Sequence, residues 1–200
     1  MADSHPQRHE STAQADRPPW EIGRPQPTFL ELSSAGSFRG RVLDVGCGTG
    51  EHVLLAAQLG LEATGIDRDP HALRAAEEKA AARGLTAKFV RHDALQLAEL
   101  GEAYDTVLDC ALFHAFGDVD RAMYVNSLRG VTGPGGRLFI LCYSDQQGGT
   151  VVVPPHRVTR GDIEAAFADG WRIDSILPTT IDVTIDPAGI PAWLLTATRI

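Results

Sequence analysis

Short apolar runs alternate with amphipathic stretches along most of the chain, and each change of period marks a change of element. Arg41-Val-Leu-Asp-Val45 places three aliphatics around one acid, the pattern of a buried strand. Glu51 to Leu59 follows with helical spacing and stops at Gly60. Glu62 to Asp67 reads as a second strand, and Pro70 opens an Ala-, Glu- and Lys-rich helix to Arg83 with Gly84 as its C-terminal stop. Thr86 to Asp93 is a third strand, Ala94 to Leu100 a short helix, and Tyr104 onward a fourth strand whose exit loop reaches His114. Val119 to Gly130 is amphipathic, with Met123, Val125 and Leu128 on one face. Gly133-Pro-Gly-Gly136 turns the chain into a fifth strand, Arg137 to Tyr143.

Thr159 or Asp162 begins a helix through Phe167, ended by Gly170; Trp171–Pro178 and Ala192–Arg199 are then the sixth and seventh strands. The link between these two strands holds Pro187, Gly189 and Pro191 and is too short for a helical crossover, so the pair is antiparallel. Alternation of strand and helix up to that point predicts an α/β fold: a doubly wound, seven-stranded, mostly parallel sheet with one antiparallel C-terminal strand. Residues 18–200 form one domain, with 18–36 as an N-terminal lid over a core of residues 37–200. Residues 1–17 are polar and without period and read as a disordered tail, in which His5 and His9 are solvated. Four prolines between Pro18 and Pro27 forbid a regular helix or central strand there, and Thr28 can cap a short helix toward Leu32.

Composition narrows the function more than the fold. The chain has 200 residues, 44% hydrophobic and 22% charged, and a formal net charge of −8 without any Lys/Arg run. An acidic surface repels phosphate backbones, so nucleic acid is not expected as a partner. No stretch has the length of a membrane span or the apolar core of a signal peptide, so no membrane partner is expected either. Cys47, Cys110 and Cys142 sit in or beside predicted strands without any C-x-x-C pair, which fits free thiols, no metal site and a cytoplasmic protein.

The candidate chemistry starts at Gly46-Cys-Gly-Thr-Gly50, between the first strand and its helix. Such a turn offers backbone N–H groups to a nucleotide-like ligand. A dinucleotide fingerprint would need its third glycine at position 51, which is Glu51, and a carboxylate at a helix start suits a ligand with positive charge. Asp67 ends the second strand, where an acid can accept both ribose hydroxyls, or can cap the next helix. Asp93 follows the third strand and can cap the helix from Ala94. Asp109 ends the fourth strand; His114 in its exit loop titrates near neutrality and lies between Phe113 and Phe116, as a base or as a packing residue.

Asp44, Gly46, Gly48 and Gly50 resemble the first motif of the class I S-adenosylmethionine-dependent methyltransferases, an acid, one spacer and G-x-G-x-G. Pro19-Trp-Glu-Ile-Gly-Arg24 is similar to the P-W-x-x-G-R element of the thiol, thiopurine and halide methyltransferase group, where it closes over the cofactor. The resemblance implies S-adenosyl-L-methionine as cofactor and S-adenosyl-L-homocysteine as product. It implies cofactor contacts from Trp20, Arg24, Asp44, Gly46, Cys47, Gly48, Gly50, Asp67, Arg68, Asp93, Ala94 and Asp109. It implies a substrate pocket lined by Trp20, Phe113, His114 and Tyr143, with His114 as the catalytic residue. His156 also stands near where an acceptor would sit. The exit loop lacks the Pro-Pro-aromatic and Pro-Cys segments of DNA-methylating enzymes, so the expected partner is a small-molecule methyl acceptor: a thiol, halide-like ion, phenol or quinol, or heterocyclic nitrogen. The expected assembly is a monomer or homodimer. A non-catalytic S-adenosylmethionine-binding sensor is the alternative, and a nicotinamide oxidoreductase a more distant one.

Overall fold

The structure is a computed structural model that describes residues 18–146 and 157–200. The tail 1–17, the Val151–Pro155 run and His156 lie outside the described residues. In chain order the elements are α1 (Pro27–Ser34), β1 (Arg41–Val45), α2 (Glu51–Gln58), β2 (Glu62–Asp67), α3 (Pro70–Ala82) and β3 (Lys88–Arg91), followed by a 3₁₀ helix at Ala94–Leu100. Then come β4 (Tyr104–Cys110), a 3₁₀ turn at Phe113–Ala115, α4 (Asp118–Val131), β5 (Thr132–Tyr143), α5 (Arg160–Ala166), β6 (Trp171–Val183) and β7 (Asp186–Arg199).

The seven strands form one sheet in the order β3-β2-β1-β4-β5-β7-β6. Pairs among β1 to β5 are parallel, and β7 runs antiparallel to both of its neighbours, so the expected architecture holds. The strand order reverses between β1 and β4, and at such a switch point the strand C-termini leave a crevice.

Three boundaries differ from the patterning. Pro187, Gly189 and Pro191 lie inside β7, because β6 and β7 continue as a long hairpin with register shifts instead of breaking at the prolines. Gly133 to Gly136 belongs to β5 as its irregularity, between the pairs Tyr104 with Thr132 and Thr106 with Arg137. Helix α1 starts at Pro27, its N-cap is Gln26, and Thr28 instead shares a hydrogen bond with Thr179. At α5 both candidate starts contribute: Thr159 and Asp162 form a reciprocal capping box.

Strand side chains alternate between two apolar layers. Leu43, Val45, Val107, Leu138 and Ile140 face a layer that includes Tyr124, Leu128 and Phe167 from the α4–α5 side. Val42, Leu108, Phe139 and Leu141 face Phe29, Val53 and Leu73 from α1, α2 and α3. Asp44 and Leu108 are register partners, as are Val45 and Asp109. Asp44 therefore falls on the α2 face and Asp109 on the α4 face.

Candidate functional site

The glycine turn owes its shape to three left-handed residues: Gly46, Gly48 and Gly50 have φ of 73°, 52° and 86°. Their surroundings differ. A Cβ at Gly50 would stand 2.8 Å from Ala76 Cβ and 2.9 Å from Phe89 Cε1, so this glycine serves close packing of the turn on α3 and β3. A Cβ at Gly48 would meet no heavy atom within 4 Å, so the chain there faces open space. The turn is tied to β2, since Gly46 N–H and Cys47 N–H both donate to the Ile66 carbonyl. The Cys47 thiol is buried, its sulfur directed at Gly65, and burial pushes its titration up.

Asp44 lies directly beneath this turn, 1% exposed, and neither carboxylate oxygen has a hydrogen-bond partner. Burial, then the charges of Asp109 and Asp67, push its carboxyl well above the usual carboxylate range. The nearest cationic-capable group is His52 on α2, with Nδ1 3.8 Å from Asp44 Oδ2. His52 Nε2 accepts the Gln26 N–H at 3.1 Å. Burial lowers the His52 pKa to about 4, so the ring is neutral near pH 7.

Residues 18–26 form a strap that joins two distant parts of the chain. The Gln26 side chain donates to the Asp182 carbonyl and accepts the Asp182 N–H, and the Pro19 carbonyl accepts the Thr184 N–H. Glu21 Oε2 accepts the Thr49 hydroxyl at 2.6 Å, which fastens the strap to the glycine turn. Arg24, expected at the cofactor, instead pairs with Asp182 at 2.6 Å, because β6 extends far enough to bring that acid beneath it. Trp20 is 59% exposed and lies outside both apolar layers.

Glu51 also departs from its expected role. Its carboxylate accepts from Lys79 and from both ends of the Arg83 guanidinium. Burial raises its pKa, but the Arg83 and Lys79 bonds outweigh that and hold it below the usual range. Its carboxylate is therefore tied to α3.

The remaining strand ends carry acids in fixed poses. Asp67 Oδ2 accepts the Gly48 N–H at 2.8 Å and Oδ1 the Asp69 N–H at 2.9 Å, so the carboxylate is held at the turn's edge. Asp69, not Asp67, caps α3. Asp93 caps the 3₁₀ helix through Leu95 N–H, with buried Ala94 behind it, and His92 bonds the Gln96 carbonyl. Arg68 is exposed beside Asp67, its carbonyl accepting from Arg91.

At the β4 exit, geometry corrects two expectations. Asp109 is wholly buried; Oδ1 accepts the Leu112 and Phe113 N–H groups and Oδ2 the Tyr124 hydroxyl. Burial raises its pKa to about 7 despite those bonds. It anchors the exit loop on the α4 face and does not join Asp44, as the β1–β4 register dictates. Phe113 is likewise wholly buried, against Phe167 and beneath the Arg121 guanidinium.

His114 and Tyr143 do meet: their rings stack at 3.9 Å, and His114 Nδ1 accepts the Tyr143 N–H at 3.2 Å. With Nδ1 used as an acceptor, a neutral ring carries its hydrogen on Nε2. Ala111, between Cys110 and this pair, is the one non-glycine with positive φ among the described residues, at 68°. Burial lifts the Cys110 thiol and the Tyr143 phenol above their ordinary values.

Sequence reading missed His52, Gln26, Glu21, Thr49 and Lys79. A signal existed for His52, since it stands in the first turn of a helix whose next residues, Val53 to Ala56, are all buried. Two clefts of about 370 and 310 Å3 lie elsewhere, lined by Arg39, Asp105 and Pro134, and by Leu95, Asn126 and Arg199. Among the described residues no cluster of His, Cys, Asp and Glu could hold a metal ion.

A buried carboxylate without a hydrogen-bond partner is rare, and a cationic ligand would satisfy it. That carboxylate, the open space over Gly48 and the tethered Asp67 fit an α-amino acid joined to a nucleoside. With the doubly wound sheet, they define a class I S-adenosylmethionine-dependent methyltransferase site. Comparison with known proteins agrees. Residues 42–136 match the family model described as a methyltransferase domain. The chain is 33% identical over 168 residues to the 2-heptyl-1-hydroxyquinolin-4(1H)-one methyltransferase of Mycobacteroides abscessus, covering 84% of this chain and 74% of that one. It is 27% identical over 180 residues to a probable thiol methyltransferase 2 of Arabidopsis thaliana, covering 87% and 77%. A solved structure from work on conversion of a disulfide bond into a thioacetal group during echinomycin biosynthesis is 37% identical, with TM-score 0.83, over 92% of this chain and 86% of that one. The chain belongs to the class I S-adenosylmethionine-dependent methyltransferases.

Proposed function

We propose that the protein methylates a small molecule whose nucleophile arrives already ionised, a thiolate or an acidic hydroxyl. The observation that carries this reading is the bond from Tyr143 N–H to His114 Nδ1, which leaves the neutral imidazole a donor at Nε2 and not a proton acceptor. Cys110 and Tyr143, whose titration is pushed up by burial, supply no base either. Relatives named for a hydroxyquinolone and for a thiol support the same acceptor range.

When bound, S-adenosylmethionine supplies an electrophilic methyl on a sulfonium, which a nucleophile displaces in line. Asp44 takes its ammonium group and the Gly46–Gly50 turn lies along its methionine part. Asp67 accepts its ribose hydroxyls; Asp93, Ala94 and Arg68 border its adenine. The strap with Trp20 covers the turn and, with His114 and Tyr143, bounds the acceptor side. These residues bind, orient and exclude water; proximity supplies most of the rate.

A panel of thiols, phenols and N-hydroxy heterocycles of graded acidity tests this with native protein and His114→Asn, whose amide oxygen still accepts the Tyr143 N–H. The expected variant keeps kcat within about fivefold, and the pH–rate profile follows the acceptor's own ionisation. A loss of about 10²-fold or more, together with disappearance of an acidic limb from the pH–rate profile, would make His114 the base after all. Methyl transfer to phenols with none to any thiol would remove the thiolate from the acceptor range.

A further inference from the structure

The strap and the buried acid beneath the glycine turn share one side chain, His52. Its Nε2 accepts the Gln26 N–H and its Nδ1 stands 3.8 Å from Asp44 Oδ2. Phe29 of α1 packs on the ring at 4.6 Å between centroids, so its plane is fixed from a third side. The Gln26 N–H occupies the one lone pair of a neutral imidazole and leaves the ring hydrogen on Nδ1. Asp44 Oδ2, at 3.8 Å, is then beyond hydrogen-bond distance of that N–H but within its electrostatic reach.

We propose that His52 is a positioning residue for cofactor binding: it orients Asp44 toward the cofactor ammonium, and the Gln26 N–H of the strap holds it in the tautomer that does so. The inference rests on reading Asp44 as the ammonium's partner. Its consequence is a coupling between two distant parts of the molecule. Gln26 is held to β6 at Asp182, so strap docking and cofactor affinity are linked through one ring. Linkage is reciprocal: bound cofactor must hold the strap down by the factor with which the strap tightens the cofactor.

Calorimetric titration of the full chain with S-adenosylhomocysteine, alongside KM and kcat, tests the assignment. His52→Ala is expected to weaken binding about tenfold, the size of one lost electrostatic positioning contact beside a buried carboxylate, with kcat at saturating cofactor within about twofold. His52→Asn, whose amide N–H stands where Nδ1–H stood, is expected to recover most of that affinity. A second pair isolates the strap. Gln26 has φ −62°, which proline adopts, so Gln26→Pro removes the N–H and Gln26→Ala keeps it while both lose the Asp182 contacts. Gln26→Pro is expected to bind about fivefold more weakly than Gln26→Ala in the native background, and equally in His52→Asn.

Gln26 is buried but belongs to neither apolar layer, so both substitutions spare the apolar core and keep the test alive if His52→Ala fails to fold. Equal affinity of the two Gln26 variants in the native background, or native affinity in His52→Ala, overturns the proposal. Asp44→Asn separates the layers. If it loses binding while the His52 and Gln26 variants do not, the site stands and the coupling falls. If it binds normally, the site reading itself falls.

Discussion

Gly48 and Gly50 are two residues apart, both left-handed, and should fail in opposite ways. Gly48→Ala adds a methyl where nothing lies within 4 Å, so its only cost to the fold is the left-handed backbone, φ 52°. That is about 1–2 kcal/mol, or a fall in melting temperature of about 2–8 °C for a domain this size. The methyl nevertheless projects into the space assigned to the cofactor, and a loss of at least about tenfold in affinity, 1.4 kcal/mol, is expected. Gly50→Ala pays the same backbone cost and drives its methyl to 2.8 Å from Ala76 and 2.9 Å from Phe89. Overpacking of that kind adds about 1–3 kcal/mol. The assay is thermal unfolding of both variants without ligand, then titration with S-adenosylhomocysteine. Gly48→Ala should be the more stable protein and the weaker binder. Native affinity in Gly48→Ala would show that the cofactor does not lie over this glycine. Equal melting temperatures would show that contacts at Gly50 do not set its cost.

Two further outcomes follow from buried acids. Asp109 titrates at about 7 in the fold and near 3.8 in the unfolded chain, so its contribution to stability is complete below about pH 4 and lost as pH rises through 7. Native protein should lose up to about 4 kcal/mol relative to Asp109→Asn between pH 4 and pH 8, an upper value from the full displacement. Urea unfolding of both proteins at each pH reads this, and the comparison cancels His52, whose depressed pKa acts oppositely as pH falls from 6.5 to 4. A difference independent of pH would mean that Asp109 stays ionised throughout. Glu51→Gln should cost about 1–3 kcal/mol by leaving Lys79 and Arg83 short of their acceptor, while cofactor affinity stays within about twofold. A larger loss of affinity without loss of stability would return Glu51 to the ligand.

The strap reading gains from the same economy of partners. Glu21, Thr49, Lys79 and Glu51 form a continuous chain of polar contacts from the strap through the turn to α3. Arg24 adds an ion pair that is half exposed, of a kind worth at most about 1 kcal/mol. What holds the strap is therefore the Gln26 side chain and the Pro19 carbonyl, bonded to the Asp182 and Thr184 backbone, more than its arginine.

Elements and their order were legible because apolar period, capping residues and glycine stops are local properties of the chain. So was the glycine turn, whose left-handed residues at 46, 48 and 50 only glycine accepts cheaply, with Asp44 and Asp67 at the strand ends beside it. Partnership was not legible. Which face Asp109 occupies depends on the β1–β4 register, and a shift of one residue would have turned it toward Asp44. Arg24 met Asp182 because β6 and β7 run past their prolines, and His114 lost its basic nitrogen to a backbone N–H twenty-nine residues away. His52 sits eight residues from Asp44 in the chain but acquires meaning only when Gln26 closes on its other nitrogen. Local sequence decides which groups exist at the strand ends; long-range packing decides which of their lone pairs and hydrogens are already taken, and a site works with what is left.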